Sequence, residues 1–255
     1  MELHDQQVNS DKKRIALLID VENAPASKVD VVLAEVARHG VATVRRAYGN
    51  WKSPRLQQWE AALHPYAIRP MQQFAYSTGK NSADMAMVID AMDLLRAGSI
   101  DAFALLSSDA DFTPLVMRIL ADGLKVYGFG ENKTPKPFVN ACSQFIYVES
   151  LRQLSGSTRA STGGPSVAKS VGGDAGLVLL MRNAVEAARG DDGWANLGAV
   201  GQQISNQASL DPRNYGYRKL SDLIEATELF QVKRQNLGVF VRDRGLAVSG
   251  APRRG

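Results

Sequence analysis

The sequence predicts a three-layer αβα domain with a mostly parallel sheet, followed by a small winged-helix-like α+β domain. Apolar runs alternate with helical periods over residues 13–154, a Gly-, Ser- and Thr-rich stretch without periodicity covers residues 155–176, and three helical segments with a terminal strand pair occupy residues 177–245. A length of 255 residues is sufficient for two modest domains. We therefore expect two domains joined by a flexible linker.

Each strand of the first domain is an apolar run, and each helix follows a run with amphipathic spacing. The predicted strands are Ile15–Asp20, Thr43–Tyr48, Ala67–Phe74, Ala102–Leu106, Lys125–Phe129 and Gln144–Val148. The predicted helices are Lys28–Arg38, Pro54–Leu63, Asp84–Arg96, Thr113–Ala121 and Lys136–Cys142. Strict alternation of strand and helix requires right-handed crossovers, so the sheet is predicted to be parallel and covered on both faces.

The second domain begins with a helix over 177–188, which carries apolar residues at helical spacing. Two more helices are predicted at 197–207 and 219–227, and a hairpin pairs 230–234 with 238–242. Three helices and a hairpin in this length are typical of a winged-helix domain.

Composition and charge exclude several classes of protein. The single Cys142 excludes an intramolecular disulfide, three scattered histidines give no His-based metal site, and no apolar run approaches the roughly 20 residues that span a bilayer. We expect a cytoplasmic protein without membrane attachment. The net charge is +4, and residues 1–155 carry equal numbers of basic and acidic side chains, so the excess lies in the C-terminal part. A polyanionic partner would explain this excess, and a solvated basic tail is the alternative.

Four aspartates fall where an α/β sheet would gather them. Asp20 ends the first strand, Asp109 and Asp111 follow the fourth strand, and Asp84 starts a helix. Ligands of open α/β sheets bind outside the carboxyl ends of the strands. Closely packed carboxylates repel each other unless a cation neutralises them, and an all-oxygen ligand set favours Mg²⁺ or Mn²⁺. Such a site suits phosphodiester hydrolysis.

Structural roles are the alternatives for these acids. Asp84 could be a helix-start acid, and Asp111 could be the N-cap of the helix near Thr113. A charge that ends a buried strand is costly without a partner, which weakens this alternative for Asp20 and Asp109. Helical spacing places Asp90 and Asp93 on other sides of their helix from Asp84, and we expect both at the surface.

Three further residues are candidate phosphate contacts. Asn23 follows the first strand and could hold water or phosphate, and Lys80 precedes Asp84. Lys80 is equally interpretable as an exposed loop lysine. Ser108, with its neighbour Ser107, could hydrogen-bond a phosphate or a metal-bound water, or could simply form a turn. The sequence has no Gly-x-Gly-x-x-Gly after the first strand, no Walker A motif and no Gly-x-Ser-x-Gly elbow.

Three motifs in order, residues 20–23, 79–92 and 107–112, resemble the NYN domain family, a branch of the PIN-like nucleases. The resemblance implies a PIN-like Rossmannoid fold and a metal-dependent ribonuclease centre. It matches Asp20, Asn23, Asp84, Asp109 and Asp111 to the site positions of the family, and none of the aspartates is replaced. Some members of the family with an intact site are regulatory.

The C-terminal motifs at residues 192–197, 215–224 and 230–232 resemble a LOTUS domain, also called OST-HTH. This resemblance implies a winged-helix module that binds RNA, including structured G-rich RNA, or in some members a protein partner. Tyr215, Arg218 and Lys219 combine aromatic and basic groups at the start of a helix, a mixture used for stacking and phosphate contact. Alternatively, Tyr217 and Trp194 belong to the core and only the basic residues face outward, and we expect Trp194 to be buried.

The leading hypothesis is a Mg²⁺- or Mn²⁺-dependent endoribonuclease whose C-terminal module supplies RNA affinity. The alternative is a non-catalytic RNA-binding regulatory protein with a PIN-like fold. A small-molecule phosphatase on the same sheet would lack an aspartyl nucleophile motif and would leave the basic excess unexplained. The sequence leaves open whether the C-terminal domain forms a homo-oligomer or binds a protein partner.

Overall fold

A computed structural model of the chain describes residues 12–74, 82–151, 171–235 and 238–245. The chain divides into two compact units, residues 1–156 and 157–255. Within the residues described, no helix is long and apolar enough to cross a bilayer.

The first unit is built on a six-stranded sheet in which every neighbouring pair of strands is parallel. Its strands are β1 (Arg14–Asp20), β2 (Val41–Gly49), β3 (Arg69–Gln72), β4 (Ala102–Leu106), β5 (Lys125–Gly130) and β6 (Gln144–Tyr147). Their order across the sheet is β3-β2-β1-β4-β5-β6. The chain therefore builds outward from β1 in one direction, returns, and builds outward from β4 in the other. The predicted fold class is confirmed.

Among the residues described, five helices cover the two faces of this sheet: α1 (Val29–His39), α2 (Gln57–Leu63), α3 (Ser82–Ala97), α4 (Thr113–Ala121) and α5 (Lys136–Ala141). Alternate residues of β1 enter different cores, because successive side chains of a strand point to opposite faces. Ile15, Leu17 and Ile19 pack in the core that contains α1 and α2. Ala16 and Leu18 pack in the core that contains α3, α4 and α5. The apolar run of β1 is explained by burial on both faces.

Strand β3 is shorter than the predicted 67–74. Ala67 has a positive φ of 50°, which ends the preceding turn, and pairing begins only at Arg69. Pro70 lacks a backbone N–H, and it is tolerated because β3 lies at the edge of the sheet.

The described part of the second unit, residues 171–235 and 238–245, contains three helices and a small antiparallel sheet. The helices are α6 (Ala175–Ala187), α7 (Leu197–Gln207) and α8 (Leu220–Ala226). The sheet has the order β7-β9-β8, with β7 (Ala195–Asn196), β8 (Phe230–Gln235) and β9 (Gly238–Asp243). Its core joins Met181 of α6, Val200 of α7, Leu223 of α8 and Val241 of β9. This is the predicted winged-helix-like α+β arrangement.

Residues 171–176 are the part of the predicted linker that the structure describes. Val171 is buried in the core of the second unit, and the Asp174 carboxylate accepts a 3.1 Å hydrogen bond from the Leu177 N–H as the N-cap of α6. Although this segment is short and glycine-rich, the buried Val171 side chain and the Asp174 cap attach it to the second unit. The remainder of the predicted linker, up to residue 170, lies outside the described residues. Strand β7 was not predicted, because two residues are too few to show alternation.

Candidate active site

The carboxyl ends of β1 and β4 lie side by side at the position where the strand order reverses. The chain leaves these two strands toward opposite faces of the sheet, which opens a crevice between them. Backbone hydrogen bonds join the surrounding loops: the Ser108 N–H donates to the Asn23 carbonyl at 3.1 Å, and the Ser107 N–H donates to the Phe129 carbonyl at 2.9 Å. The ends of β1, β4 and β5 therefore form one hydrogen-bonded rim.

Asp20 lies at the centre of this rim and is only 1% exposed. Its Oδ2 accepts a 2.6 Å hydrogen bond from the Ser107 hydroxyl, and its Oδ1 accepts from the N–H groups of Glu22 (3.1 Å) and Asn23 (3.3 Å). Burial raises the pKa of Asp20, and these bonds, with one from the Asn23 side chain, oppose the rise. The carboxylate is thus held in one orientation by donors that favour its ionised form.

Ser107 connects Asp20 to the acids that follow β4. Its Oγ also accepts a 3.0 Å hydrogen bond from the Asp109 N–H. Ser107 is completely buried, and the end of β5 approaches it closely: a Cβ at Gly130 would lie 2.6 Å from the Ser107 carbonyl oxygen. Glycine at position 130 is therefore part of the packing that fixes Ser107.

The capping role that was the alternative for Asp111 belongs to Asp109. The Asp109 side chain accepts a 2.9 Å hydrogen bond from the Asp111 N–H and caps a short 3-10 turn (Ala110–Phe112) that precedes α4. The turn begins before Thr113, which shifts the cap two residues toward the N-terminus. Asp111 is exposed, and its side chain is not needed for this cap.

Asp84 lies in the first turn of α3 and is half-buried. Burial, as the largest cause, and the negative charges of Asp20, Asp109, Glu22 and Asp111, in decreasing order, together raise its pKa to about 6. A first-turn acid also interacts favourably with the helix macrodipole. Asp84 therefore shares the electrostatic environment of the acids that follow β1 and β4.

The donor chemistry of the crevice fits a hard divalent cation, since every acidic side chain in it offers carboxylate oxygens. A cation would also neutralise the repulsion that raises the pKa of Asp84. Across the described parts of the chain, however, no three Asp, Glu, His or Cys side chains are close enough together to hold an ion. The acids share one electrostatic environment without forming a closed ligand set.

The three candidate phosphate contacts have different surroundings. Asn23 is exposed at the rim. The Ser108 hydroxyl accepts a 2.9 Å hydrogen bond from the Glu131 N–H, so it braces the loop after β5 and retains its own proton for donation. Lys80 lies outside the described residues.

Asp90 is not the surface residue that helical spacing suggested. It is half-buried, and its carboxylate accepts hydrogen bonds from the Arg46 guanidinium and the Tyr48 hydroxyl of β2. Burial and the Asp90 contact both raise the pKa of Tyr48. This cluster attaches α3 to β2 and so fixes the helix whose first turn carries Asp84. Asp93 is exposed, as expected.

The predicted RNA contacts of the second unit precede α8. Tyr215 ends a 3-10 turn (Pro212–Tyr215) and is 39% exposed, and Arg218 and Lys219 are exposed beside it. Tyr217 is half-buried and packs against the core. Trp194 corrects our expectation: it is only partly buried, because it lies at the edge of the small sheet with Lys233 and Arg242 against its ring.

These features define a doubly wound α/β protein with an acidic crevice at its switch point and a winged-helix-like C-terminal domain. The chain belongs to the NYN domain family, whose family model matches residues 14–151, more than half of the chain. The OST-HTH/LOTUS domain model matches residues 176–242. Both resemblances expected from the motifs are confirmed.

Solved structures with partial similarity come from several bacteria. A crystal structure of a protein of unknown function from Vibrio parahaemolyticus has 21% identity and a TM-score of 0.44, covering 54% of this chain and 94% of that chain. A solution structure of an uncharacterized protein from Nitrosomonas europaea has 26% identity and a TM-score of 0.27, covering 41% and 100%. An oxidoreductase from Thermotoga maritima has 16% identity and a TM-score of 0.28, covering 50% and 34%. No curated protein matches the chain.

Proposed function

We propose that the chain is a Mg²⁺- or Mn²⁺-dependent endoribonuclease that hydrolyses RNA phosphodiester bonds and uses its C-terminal domain for RNA affinity. The observation that supports this most directly is the electrostatic environment of Asp84, whose pKa is raised to about 6 by burial and by the charges of Asp20, Asp109, Glu22 and Asp111. Repelling carboxylates at the switch point of an α/β sheet are a costly arrangement that a bound cation would stabilise.

The residues that would hold the cation are Asp20, Asp84, Asp109 and Asp111. A divalent cation at such a site supplies orientation of water for in-line attack and stabilisation of charge on the leaving oxygen. The chain itself keeps Asp20 oriented through Ser107 and two backbone N–H groups. Asn23, Ser108 and Lys80 are our candidates for contacts to the phosphates beside the cut.

The C-terminal domain would contribute RNA affinity through Tyr215, Arg218 and Lys219. Family membership supports this, because the matched OST-HTH/LOTUS domain implies RNA binding. The two exposed cations precede α8 in adjacent positions, where phosphate contacts would make the affinity depend strongly on salt. A cytoplasmic location accompanies the proposal, because a chain with a single cysteine uses no internal disulfide, which is usual for proteins of a reducing compartment.

A second candidate function is a non-catalytic RNA-binding regulator. It is favoured by one observation, the lack of any three metal-ligating side chains close enough to hold an ion among the described residues. This candidate predicts that RNA binds and that no metal-dependent cleavage follows.

Cleavage of a labelled RNA pool, in Mn²⁺ or Mg²⁺ and again in EDTA, tests the proposal with Asp109→Asn as the decisive variant. Asparagine also caps helical turns, so the hydrogen bond from the Asp111 N–H is kept while the charge is removed. The matched control is Asp93→Asn, an exposed aspartate on α3. We expect metal-dependent cleavage by the wild type and the control, and strongly reduced cleavage by Asp109→Asn. Equal cleavage by Asp109→Asn and wild type would refute the assignment, and binding without cleavage would favour the regulator.

A further inference from the structure

The small antiparallel sheet of the second unit has an outer face that its core does not cover. Residues paired directly across the strands share a face, and these pairs include Gln231 with Arg242 and Lys233 with Phe240. All four are exposed or half-exposed. The opposite face contributes Ala195, Phe230 and Val241 to the core. We call the exposed side the outer face and define it by Trp194, Gln231, Lys233, Gln235, Phe240 and Arg242.

Trp194 lies at the β7 edge of this outer face, and two basic side chains contact its ring. The Arg242 guanidinium carbon lies 4.7 Å from the centre of the Trp194 ring, and the Lys233 Nζ lies 5.8 Å from it. Gln231 fixes Arg242, because its Oε1 accepts from Nε at 3.2 Å and from Nη2 at 2.6 Å. The Trp194 backbone is fixed as well, through a 3.0 Å hydrogen bond from its N–H to the Asp192 carboxylate. The ring and the guanidinium are therefore pre-arranged.

The basic side chains of the outer face differ from those near the other face of the hairpin in whether they pair with a carboxylate. Arg234, one residue along β8 and on the other face, pairs with Glu225 at 2.7 Å. Arg182 pairs with Asp243 at 3.0 Å. In the described residues no carboxylate pairs with Lys233 or Arg242, and no strand position of the outer face is occupied by Asp or Glu. If the contacts of Lys233 and Arg242 with Trp194 were only structural, acidic side chains would not have to be excluded from the same face.

The outer face combines two aromatic rings, two glutamine side chains and two cations that pair with no carboxylate of the described residues. This combination suits one class of ligand. The cations favour a polyanion, and the rings favour one that carries flat, unpaired π-systems. Single-stranded RNA meets both requirements, whereas the bases of a duplex are stacked on each other and unavailable to Trp194.

We propose that the outer face is a platform for single-stranded RNA, on which an unpaired base stacks against Trp194 while Lys233 and Arg242 contact neighbouring phosphates. The Lys233 stem is flexible, so its ammonium can move from the ring to a phosphate when a base takes its place. Arg242 stays beside the ring because Gln231 holds it. This inference rests on the proposed RNA-binding function and adds a second contact surface to the residues before α8.

The test measures binding of the full chain to a labelled single-stranded RNA and to its duplex, in EDTA so that cleavage does not interfere. The variants are Trp194→Leu, which keeps an apolar side chain but removes the aromatic ring, and Lys233→Gln, which changes an exposed side chain. The matched control is Arg234→Gln, which removes the same charge from the adjacent residue on the other face. Circular dichroism and thermal melting check that each variant folds.

We expect Trp194→Leu to weaken single-strand binding about tenfold and to leave duplex binding unchanged, because only an unpaired base stacks on the ring. Lys233→Gln should lower the salt dependence of single-strand binding by about 0.7 in the log–log slope, the value for one lost phosphate contact. Arg234→Gln should bind like the wild type.

The failures of this inference and of the proposed function are distinguishable. If the wild type binds RNA and both outer-face variants bind equally well, the platform is wrong and the proposed function stands. The platform is equally wrong if Arg234→Gln loses as much affinity as Lys233→Gln. The loss would then follow from the lower net charge of the chain and not from a contact on the outer face. If the full chain neither binds nor cuts RNA, both proposals fall.

Discussion

The Ser107 hydroxyl, completely buried after β4, donates a 2.6 Å hydrogen bond to the Asp20 carboxylate at the end of β1. The bond crosses the position where the strand order reverses, so it joins the two halves of the sheet at the acidic crevice. A hydrogen bond to a buried charged group is worth more than one between neutral groups. Ser107 therefore stabilises both the fold and the ionised form of Asp20.

Replacing Ser107 by alanine should lower the free energy of unfolding by about 2 kcal/mol near neutral pH. Burial already holds the pKa of Asp20 above its usual range and the Ser107 bond opposes this, so the variant raises that pKa further. The loss of stability should therefore shrink as the pH falls through the pKa of folded Asp20 and the carboxyl is protonated. Urea unfolding over a pH series measures this. Ser108→Ala, which breaks a contact to Glu131 instead, should show a loss that does not vary with pH; the same flat profile for Ser107→Ala would contradict the prediction.

Replacing Asp84 by asparagine should stabilise the fold while it impairs cleavage. The folded pKa of Asp84, about 6, lies above its ordinary value, so ionised Asp84 disfavours folding. The penalty is absent below the unfolded pKa and grows as the pH rises through about 6. Because Asp84 is only half-buried and solvent screens its neighbours, we expect a gain of about 1 kcal/mol at alkaline pH and none in acid. Denaturant unfolding across pH measures it, with Asp93→Asn as the flat control. A less stable Asp84→Asn at alkaline pH would contradict the electrostatic assignment.

The contributions of Arg46, Tyr48 and Asp90 to the free energy of unfolding should be coupled. Arg46 and Tyr48 both donate to Asp90, and removal of one partner leaves a half-buried polar group unsatisfied. We expect Tyr48→Phe to lower the free energy of unfolding by about 1 kcal/mol. The pair Arg46→Gln and Asp90→Asn should be non-additive by about 1 kcal/mol in a double-mutant cycle. Asp93→Asn combined with Arg46→Gln is the control cycle, and additivity in both cycles would show that the cluster does not anchor α3.

The sequence was sufficient for the features that follow local rules. The apolar run of β1 requires burial on both faces, and Asp20 at its end then falls at the carboxyl edge of the sheet. The sequence did not predict which side chains from different helices and strands contact each other. Helical spacing separates Asp90 from Asp84, but only the packed sheet reveals that Arg46 and Tyr48 of β2 lie opposite Asp90.

Trp194 and Asp109 are two further residues whose contacts could not be predicted from the sequence, although the contacting residues of Asp109 are close in the chain. An isolated Trp before a two-residue strand resembles a core residue, and its exposure depends on where the hairpin places Lys233 and Arg242. Asp109 and Asp111 are equally good caps by type, and the turn that begins at Ala110 selects Asp109. Ser107 gave no signal beyond its position after β4, since serine in a turn is common.

Divalent metal should stabilise the folded chain, and the effect should depend on pH. A cation that binds only the folded state raises the melting temperature by mass action, and a concentration about 100-fold above its dissociation constant adds about 2.7 kcal/mol of stability. Carboxylates must be ionised to act as ligands, so metal competes with the proton on Asp84, whose pKa is about 6. The melting temperature in Mn²⁺ should therefore rise well above that in EDTA at alkaline pH and approach it as the pH falls below about 6.

Asp84→Asn separates metal binding from a general effect of salt in the same melting experiment. It removes one ligand and the carboxyl whose pKa is about 6, so the Mn²⁺-dependent rise should be smaller and should change less as the pH passes through 6. Asp93→Asn should keep the full rise, because it is exposed elsewhere on α3. Mn²⁺ at equal ionic strength is compared with Na⁺, since screening alone would also relieve the repulsion among the acids. A rise of equal size in Na⁺, or an undiminished rise in Asp84→Asn, would mean that the acidic crevice is screened rather than occupied, and the regulator without catalysis would then be the better description of this NYN protein.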